Sequence, residues 1–331
     1  MAKYLIFRTD RIGDFITSQV VTNSISEVSK KNQVDVVASS YNSKYIKNFK
    51  YINRIFIFDK SQNKILDFFN LFLQIKNRKY DYLIVLDGKR RSFLSGIFIN
   101  SSIKICFLKD FYPKFLISLF YTKYLKNTET NTQYKNFQIL LNYLDIKSPK
   151  YINYYKNYNF TKNKFKLNKP YVHLHLDEKW FKDYYFHDFD YMNLKPDSIY
   201  FFLKSLINKF KFNIIITQGF KKVKIMNEFK IKYFKNIKDP QIKIKKNTVR
   251  FIEQSSFRDL ENIVLNSKFL ICCEGAISHV SHSLNKKTIA LIQKDRLIST
   301  NFWIGHMGNI KTVFRNDIKQ VTKDILKLNL V

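Results

Sequence analysis

Two α/β domains, each built on a largely parallel sheet, are what this sequence predicts. Three observations carry that expectation. Short continuous apolar runs alternate with stretches whose apolar residues recur at helical spacing, the pattern of buried parallel strands with covering helices. The alternation lapses between about positions 147 and 169 and then restarts. Loops rich in charge or polar groups follow the first strand and a late strand, at the sheet edge where ligands bind in open α/β folds.

The elements follow in order. Lys3-Tyr4-Leu5-Ile6-Phe7 reads as a buried first strand, and Ile16, Val20, Val21, Ile25 and Val28 share one helical face after it. Strands are expected at 34–38 and 52–58, with a helix over 65–75 between the third and fourth strands. Asp81-Tyr82-Leu83-Ile84-Val85-Leu86 ends in Asp87-Gly88, Lys89-Arg90-Arg91-Ser92 opens another helix, and 103–107 is a fifth strand. The stretch 147–169, poor in periodic apolar positions and flanked by Pro149 and Pro170, is the expected linker, dividing domains 1–160 and 161–331. Beyond it come a strand at 171–176, a helix at 198–210 and a strand at 212–217 that ends near Gly219. Ser256-Phe257-Arg258-Asp259 resembles a capping box ahead of Leu260, Ile263 and Val264. Strands at 269–273 and 288–292 enclose a helix at 277–284. A last amphipathic helix at 317–328 was free, on sequence grounds, to pack back on the first domain.

Composition narrows the class. At 45% hydrophobic and 17% aromatic residues the 331-residue chain has material for real cores. Three cysteines make a disulfide framework improbable and suit a reducing compartment. The chain enters a strand at once, so no signal peptide is expected, and no apolar run reaches the roughly 18–20 residues of a membrane span. The formal net charge of +32 attracts polyanions: nucleic acid, an anionic membrane or a phosphorylated glycolipid. The lysines are spread along the chain amid abundant Asn, Ile, Tyr and Phe, which reads in part as compositional bias. No zinc-finger, RNP or helix-turn-helix pattern singles out nucleic acid. There is no metal-ligand spacing, Walker A loop, Gly-x-Gly-x-x-Gly or Gly-x-Ser-x-Gly.

Two stretches could hold chemistry. In Arg8-Thr9-Asp10-Arg11-Ile12-Gly13-Asp14, Asp14 stands at the start of the first helix, where a carboxylate can act as a general base or simply cap the helix. In Glu274-Gly275-Ala276-Ile277-Ser278-His279, a strand gives way to a helix whose N-terminal N–H groups, with Ser278 and His279, suit a pyrophosphate; Glu274 could accept from a sugar hydroxyl or merely complement the helix dipole. Lys179, just past a strand end, can reach a phosphate or be a solvated lysine. Lys89, Arg90 and Arg91 at a helix start are electrostatically awkward, which suggests an anionic acceptor.

At these residues the chain resembles glycosyltransferase family 9, the lipopolysaccharide heptosyltransferases. Residues 8–14 look like the family's opening Arg-x-Asp-x-Ile-Gly-Asp signature, residues 81–88 with Arg91-Ser92 like its second motif, and 274–279 like its Asp-(Ser/Thr)-Gly…His motif. The resemblance implies a GT-B fold: two Rossmann-like domains facing across a cleft. It implies inverting, metal-independent transfer of a sugar from a nucleotide-sugar co-substrate, typically ADP-heptose, with no cofactor. Asp14 would be the base. Lys179, Thr217, Gly219, Glu274, Gly275, Ser278 and His279 would bind the donor, and Arg8, Arg11, Lys89, Arg90 and Arg91 an anionic glycolipid acceptor. A cytoplasmic monomer in peripheral contact with an anionic membrane is the expected setting. Glu274 replaces the family's aspartate, Ala276 and Ile277 depart from the motif, and Asp177-Glu178 bring negative charge toward the presumed pyrophosphate. A catalytically lapsed GT-B module that only binds its ligand is therefore the alternative, with a basic nucleic-acid-binding protein the more remote one.

Overall fold

The structure is a computed structural model. It describes the chain apart from residues 60–62, 109–113, 127–129, 150–154, 156–157, 159, 161–164, 166, 168–169, 182–191, 193, 220–222, 235–239, 254 and 330–331. Much of the linker expected at 147–169 thus lies outside the described residues. The chain divides into two compact units, Met1–Asn159 and Phe160–Val331.

The first unit carries a six-stranded sheet of β1 (Lys3–Arg8), β2 (Gln33–Ala38), β3 (Ile52–Ile57), β4 (Tyr80–Val85), β5 (Ser101–Leu108) and β6 (Lys123–Lys126), in the order β3-β2-β1-β4-β5-β6. Every pairing is parallel, with Phe7 between Val37 and Val85. The helices are α1 (Ile12–Val28), α2 (Ser40–Ile46), α3 (Lys64–Ile75), α4 (Arg90–Phe98), α5 (Lys114–Phe120) and α6 (Gln133–Tyr143). The chain steps outward from β1 to β3, then crosses back and steps outward from β4 to β6. Right-handed crossovers therefore place α1 and α2 on one face and α3, α4 and α5 on the other. The second of these faces shares one core, in which Leu71 and Ile75 of α3, Phe93 of α4 and Ile117 of α5 meet Leu5, Phe7, Val37 and Leu83. On the opposite face Phe15, Tyr45, Phe49 and Tyr158 form an aromatic cluster, and α6 packs on α1.

Ile16, Val20, Val21 and Ile25 of α1 are buried as the spacing predicts, but Val28, the last residue of the helix, is exposed. The helix at 65–75 forms as expected, yet its periodicity misleads about burial: only Leu71 and Ile75 are buried, and Ile65 and Phe69 face outward.

The second unit carries β7 (Tyr171–Leu176), β8 (Asn213–Gln218), β9 (Gln241–Ile244), β10 (Asn247–Ile252), β11 (Phe269–Cys273), β12 (Lys287–Ile292) and β13 (Ile310–Phe314), ordered β13-β12-β11-β7-β8-β10-β9. Its helices are α7 (Pro196–Phe210), α8 (Lys224–Tyr233), α9 (Phe257–Asn266), α10 (Ala276–Ser283), α11 (Leu297–Ile304) and α12 (Ile318–Lys327). All strands run parallel except the edge strand β9, which forms an antiparallel hairpin with β10. The hairpin escapes sequence reading because its turn is Lys245-Lys246, with Lys245 in the left-handed region where Asn or Gly is usual. α9 does begin with the capping box: Ser256 accepts from the Asp259 N–H, and Asp259 accepts from the Ser256 N–H at 3.0 Å. α12 lies against α7 within its own unit. The core is continuous from Val172, Leu174 and Trp180 through Phe202, Leu206 and Ile216 to Val321 and Ile325. Burial of each such side chain stabilises the unit by about 1.5–3 kcal/mol. All three cysteines are buried free thiols, and among the described residues no helix is long and apolar enough to cross a membrane.

Candidate functional site

Strand order decides where a ligand can sit. In each unit the first strand is flanked by strands reached in opposite directions, so the loops leaving it and its neighbour diverge and open a crevice at the carboxyl edge. In the first unit these are the loops after β1 and β4; in the second, those after β7 and β11. The sequence-predicted residues collect at these two edges.

At the first edge, Arg8 ends β1 with its side chain turned inward. It is 3% exposed, and its guanidinium donates to the Leu86 carbonyl at 3.0 Å and the Asp14 carbonyl at 3.0 Å. It also pairs with the carboxylates of Asp10 at 3.3 Å and Asp14 at 3.9 Å. Arg8, expected among the acceptor-binding residues, thus uses two of its three guanidinium nitrogens to hold the loop, because a guanidinium at a buried strand end must find acceptors nearby. Asp14 occupies the third position of α1, where its Oδ2 accepts from the Arg11 N–H at 3.1 Å, and its side chain keeps 23% exposure. The capping role weighed for it is therefore filled by one oxygen, while Oδ1 faces Arg8.

Asp87 lies just past β4, and the sequence marks it only as part of a motif. It accepts from the hydroxyls of Thr9 and Ser92, both at 2.7 Å, and from the Lys89 N–H at 3.1 Å, tying the β1 loop to the start of α4. Burial pushes the carboxyls of Asp10 and Asp87 above the usual range; Arg8 opposes the shift at Asp10, and the charge of Asp10 adds to it at Asp87. The signal that could have found Asp87 was an acid directly after an apolar strand. Among the proposed acceptor ligands, Lys89 donates to Thr9 Oγ1 at 3.3 Å and Arg91 lies 4.9 Å over the Phe58 ring, while Arg11 and Arg90 are exposed. Arg8→Lys keeps the charge but cannot serve both carbonyls and both carboxylates. It is expected to cost the first unit about 1–3 kcal/mol in denaturant unfolding.

At the second edge, a 3₁₀ turn at Glu178–Trp180 follows β7, anchored by Trp180, which is 1% exposed. It directs Lys179 so that Nζ donates to the Glu274 backbone carbonyl and lies 3.9 Å from the Glu274 carboxylate. The backbone of Lys179 is itself held by Asp177 and by Arg315, which follows β13 and went unnoticed in the sequence. A Cβ on Gly275 would stand 3.1 Å from Lys179 Nζ, so glycine lets the ammonium approach the start of α10. A Cβ on Gly219 would stand 2.7 Å from Glu178 Oε2 and 3.0 Å from Asp177 Cβ, so the loop after β8 needs glycine to pass the loop after β7. The N–H groups of Ala276 and Ile277, in the first turn of α10, have no intrahelical acceptor. A lysine, a carboxylate and a helix N-terminus thus converge, suited to a diphosphate bearing a hydroxylated group.

Two of the expected donor-binding side chains hydrogen-bond within the unit. The Thr217 hydroxyl is fully buried between His173 Nε2 at 2.7 Å and His175 Nδ1 at 2.8 Å, so it locks β7 and β8 together. The Ser278 hydroxyl donates to the Gly275 carbonyl at 2.6 Å, which closes the first turn of α10. His279 is brought to the same turn but is 4% exposed, and burial draws its imidazole down to about 3, so it is neutral. Asp177, whose negative charge departs from the motif, is raised by burial to about 7, with Lys179 opposing. Among the described residues no cluster of three or more His, Cys, Asp or Glu could hold a metal.

No family model matches the sequence, and no curated protein matches it. The fold does match solved structures. The chain resembles E. coli heptosyltransferase WaaC with ADP-2-deoxy-2-fluoro heptose at a TM-score of 0.69 and 13% identity, over 98% of each chain. It resembles the glycosyl transferase family 9 structure from Veillonella parvula at 0.70 and 13%, over 99% of this chain and 90% of that one. A putative UDP-N-acetylglucosamine 2-epimerase from Listeria monocytogenes matches at 0.58 and 10%, over 98% and 87%. The fold shared with these structures is GT-B, and it hosts more than one chemistry.

Proposed function

We propose that this chain is an inverting glycosyltransferase, taking a sugar from a nucleotide-diphosphate donor and passing it to a hydroxyl of an anionic glycolipid. The observation that carries the reading is the Lys179–Glu274–Gly275 corner at the start of α10, in a fold shared end to end with an enzyme whose structure holds an ADP-heptose analogue. ADP-heptose is the donor proposed first, and a lipopolysaccharide core sugar the acceptor. A cytoplasmic site on the inner membrane face follows from that acceptor.

Asp14 Oδ1 takes the proton of the acceptor hydroxyl as its oxygen attacks the anomeric carbon. The bond from that carbon to the diphosphate oxygen breaks, with inversion, and the electron pair leaves on the diphosphate. Lys179 and the N–H groups of Ala276 and Ile277 meet that growing charge without a metal. Glu274 accepts from a hydroxyl of the nucleotide's ribose or of the sugar. The experiment is direct. Purified chain is incubated with ADP-heptose and other nucleotide sugars and with core-truncated glycolipid, and products are read by mass spectrometry. Product gaining one sugar supports the reading; release of free sugar only, or no reaction with any donor, opposes it. In titration calorimetry Lys179→Ala is expected to weaken ADP binding at least about tenfold, the loss of one charge-assisted contact, with the fold intact because Lys179 is partly exposed.

A further inference from the structure

The first unit leaves a broad apolar face uncovered. Of the exposed large apolar side chains among the described residues, ten of twenty-one lie on α3, α4 and α5, the three helices on one side of one sheet. Ile65 is 82% exposed, Phe69 52%, Phe98 63% and Phe115 71%. α3 and α4 are joined edge to face by Phe68 and Phe98, with ring centroids 5.3 Å apart. Scattered apolar residues are ordinary on a protein surface; a concentration on adjoining helices marks an interaction site.

Charge selects the partner. Between positions 64 and 126 the chain carries twelve Lys or Arg against four Asp or Glu. Lys76 and Lys79 are exposed just past α3, Arg90 opens α4, and Lys123 and Lys126 are exposed after α5. An apolar helix face bordered by cations is the composition that binds the headgroup region of an anionic bilayer, with apolar side chains seated below the phosphates. A second copy of the chain would bring two basic borders together, which like-charge repulsion opposes.

We propose that the α3–α4–α5 face is a docking surface for anionic phospholipid membrane, lying in the interface without crossing it. This does not depend on the transfer reaction. Vesicle sedimentation tests it, using vesicles of about 30% phosphatidylglycerol in phosphatidylcholine, phosphatidylcholine alone, and the full chain. Expected is binding to the anionic vesicles at about 0.1 M salt, at least about tenfold weaker on phosphatidylcholine and at about 0.5 M salt. The triple variant Ile65→Ser, Phe69→Ser, Phe115→Ser should lose binding by at least about tenfold. Its fold is checked by an unchanged far-UV circular dichroism spectrum and by unchanged hydrogen-exchange protection of peptides from the first sheet. In a second arm, Phe69→Trp should shift its emission to the blue on anionic vesicles. Equal binding by the triple variant, no blue shift, or no binding to anionic vesicles would overturn the proposal. So would concentration-dependent self-association that the triple variant abolishes.

Discussion

Asp14→Asn should reduce sugar transfer by about 10²–10⁴-fold, the usual contribution of a positioned general base. Donor affinity and the unfolding midpoint should change little. The separation is possible because the structure divides the work of this carboxylate. One oxygen caps α1 at the Arg11 N–H, and an Asn side-chain oxygen can accept that same bond. What Asn cannot do is accept a proton at the oxygen facing Arg8, which keeps its other partners in Asp10 and two backbone carbonyls. Turnover measured under saturating donor is the discriminating quantity. Transfer by Asp14→Asn at the wild-type rate would leave Asp14 a helix cap alone.

The second large effect is a difference in acid sensitivity between the units. All six histidines lie in the second half of the sequence. Burial lowers His173 well below the ordinary range, draws His175 to about 4 and His279 to about 3. Their unfolded value is near 6.5, so each contributes stability that is fully present above that pH and is lost as pH falls toward the folded value. Asp177, raised to about 7, has the opposite sign: its folded form holds a proton that the unfolded chain has shed, so it gains stability as pH falls below 7. His175, His279 and His306, the last also drawn by burial to about 3, lose about 2 kcal/mol each between pH 7.5 and 5, and His173 and His282 act in the same direction; less about 3 kcal/mol from Asp177, the net loss is at least about 3 kcal/mol.

In the first unit the buried carboxyls of Asp10 and Asp87 are raised, which works in the other direction. Both tryptophans, Trp180 and Trp303, belong to the second unit, so their emission reports its unfolding. The urea midpoint followed by tryptophan emission should fall between pH 7.5 and 5. Hydrogen exchange in peptides from the first sheet should hold steady or slow, after correction for intrinsic exchange. A tryptophan-monitored midpoint unchanged or higher at pH 5 would contradict the assignment of these histidines as buried and neutral.

Much of the fold was legible because strands buried on both faces write themselves as continuous apolar runs: Tyr4–Phe7, Leu83–Leu86 and Leu270–Cys273 are all buried. Of the four edge strands only β3 was legible, and the inner strand β10 was missed as well. β6, β9 and β13 each have one solvated side, so their Lys-rich segments carry too little apolar signal. Exposure on α3 could not be read either, since helical periodicity tells which residues share a face and not whether anything covers it.

At the site, residue types and positions along the chain were visible, and side-chain direction was not. Lys179 and Glu274 are separated by ninety-five positions and meet because β7 and β11 are neighbours. Thr217 looked available at a strand end, but strand alternation sends its hydroxyl into the core between two histidines. Arg8 looked like a cation for an acceptor, yet the strand turns it inward, toward the β4 end and its own loop. Buried polar groups must be satisfied, and which partner satisfies them is a property of three dimensions.

Hydrogen exchange of the full chain, with and without saturating ADP or ADP-sugar, examines the proposed donor site most directly. Expected is new protection in peptides covering 177–181 and 274–279, absent in Lys179→Ala at the same nucleotide concentration. Bound nucleotide that leaves both stretches unprotected, or protects only segments elsewhere, would contradict the placement of the donor at the start of α10.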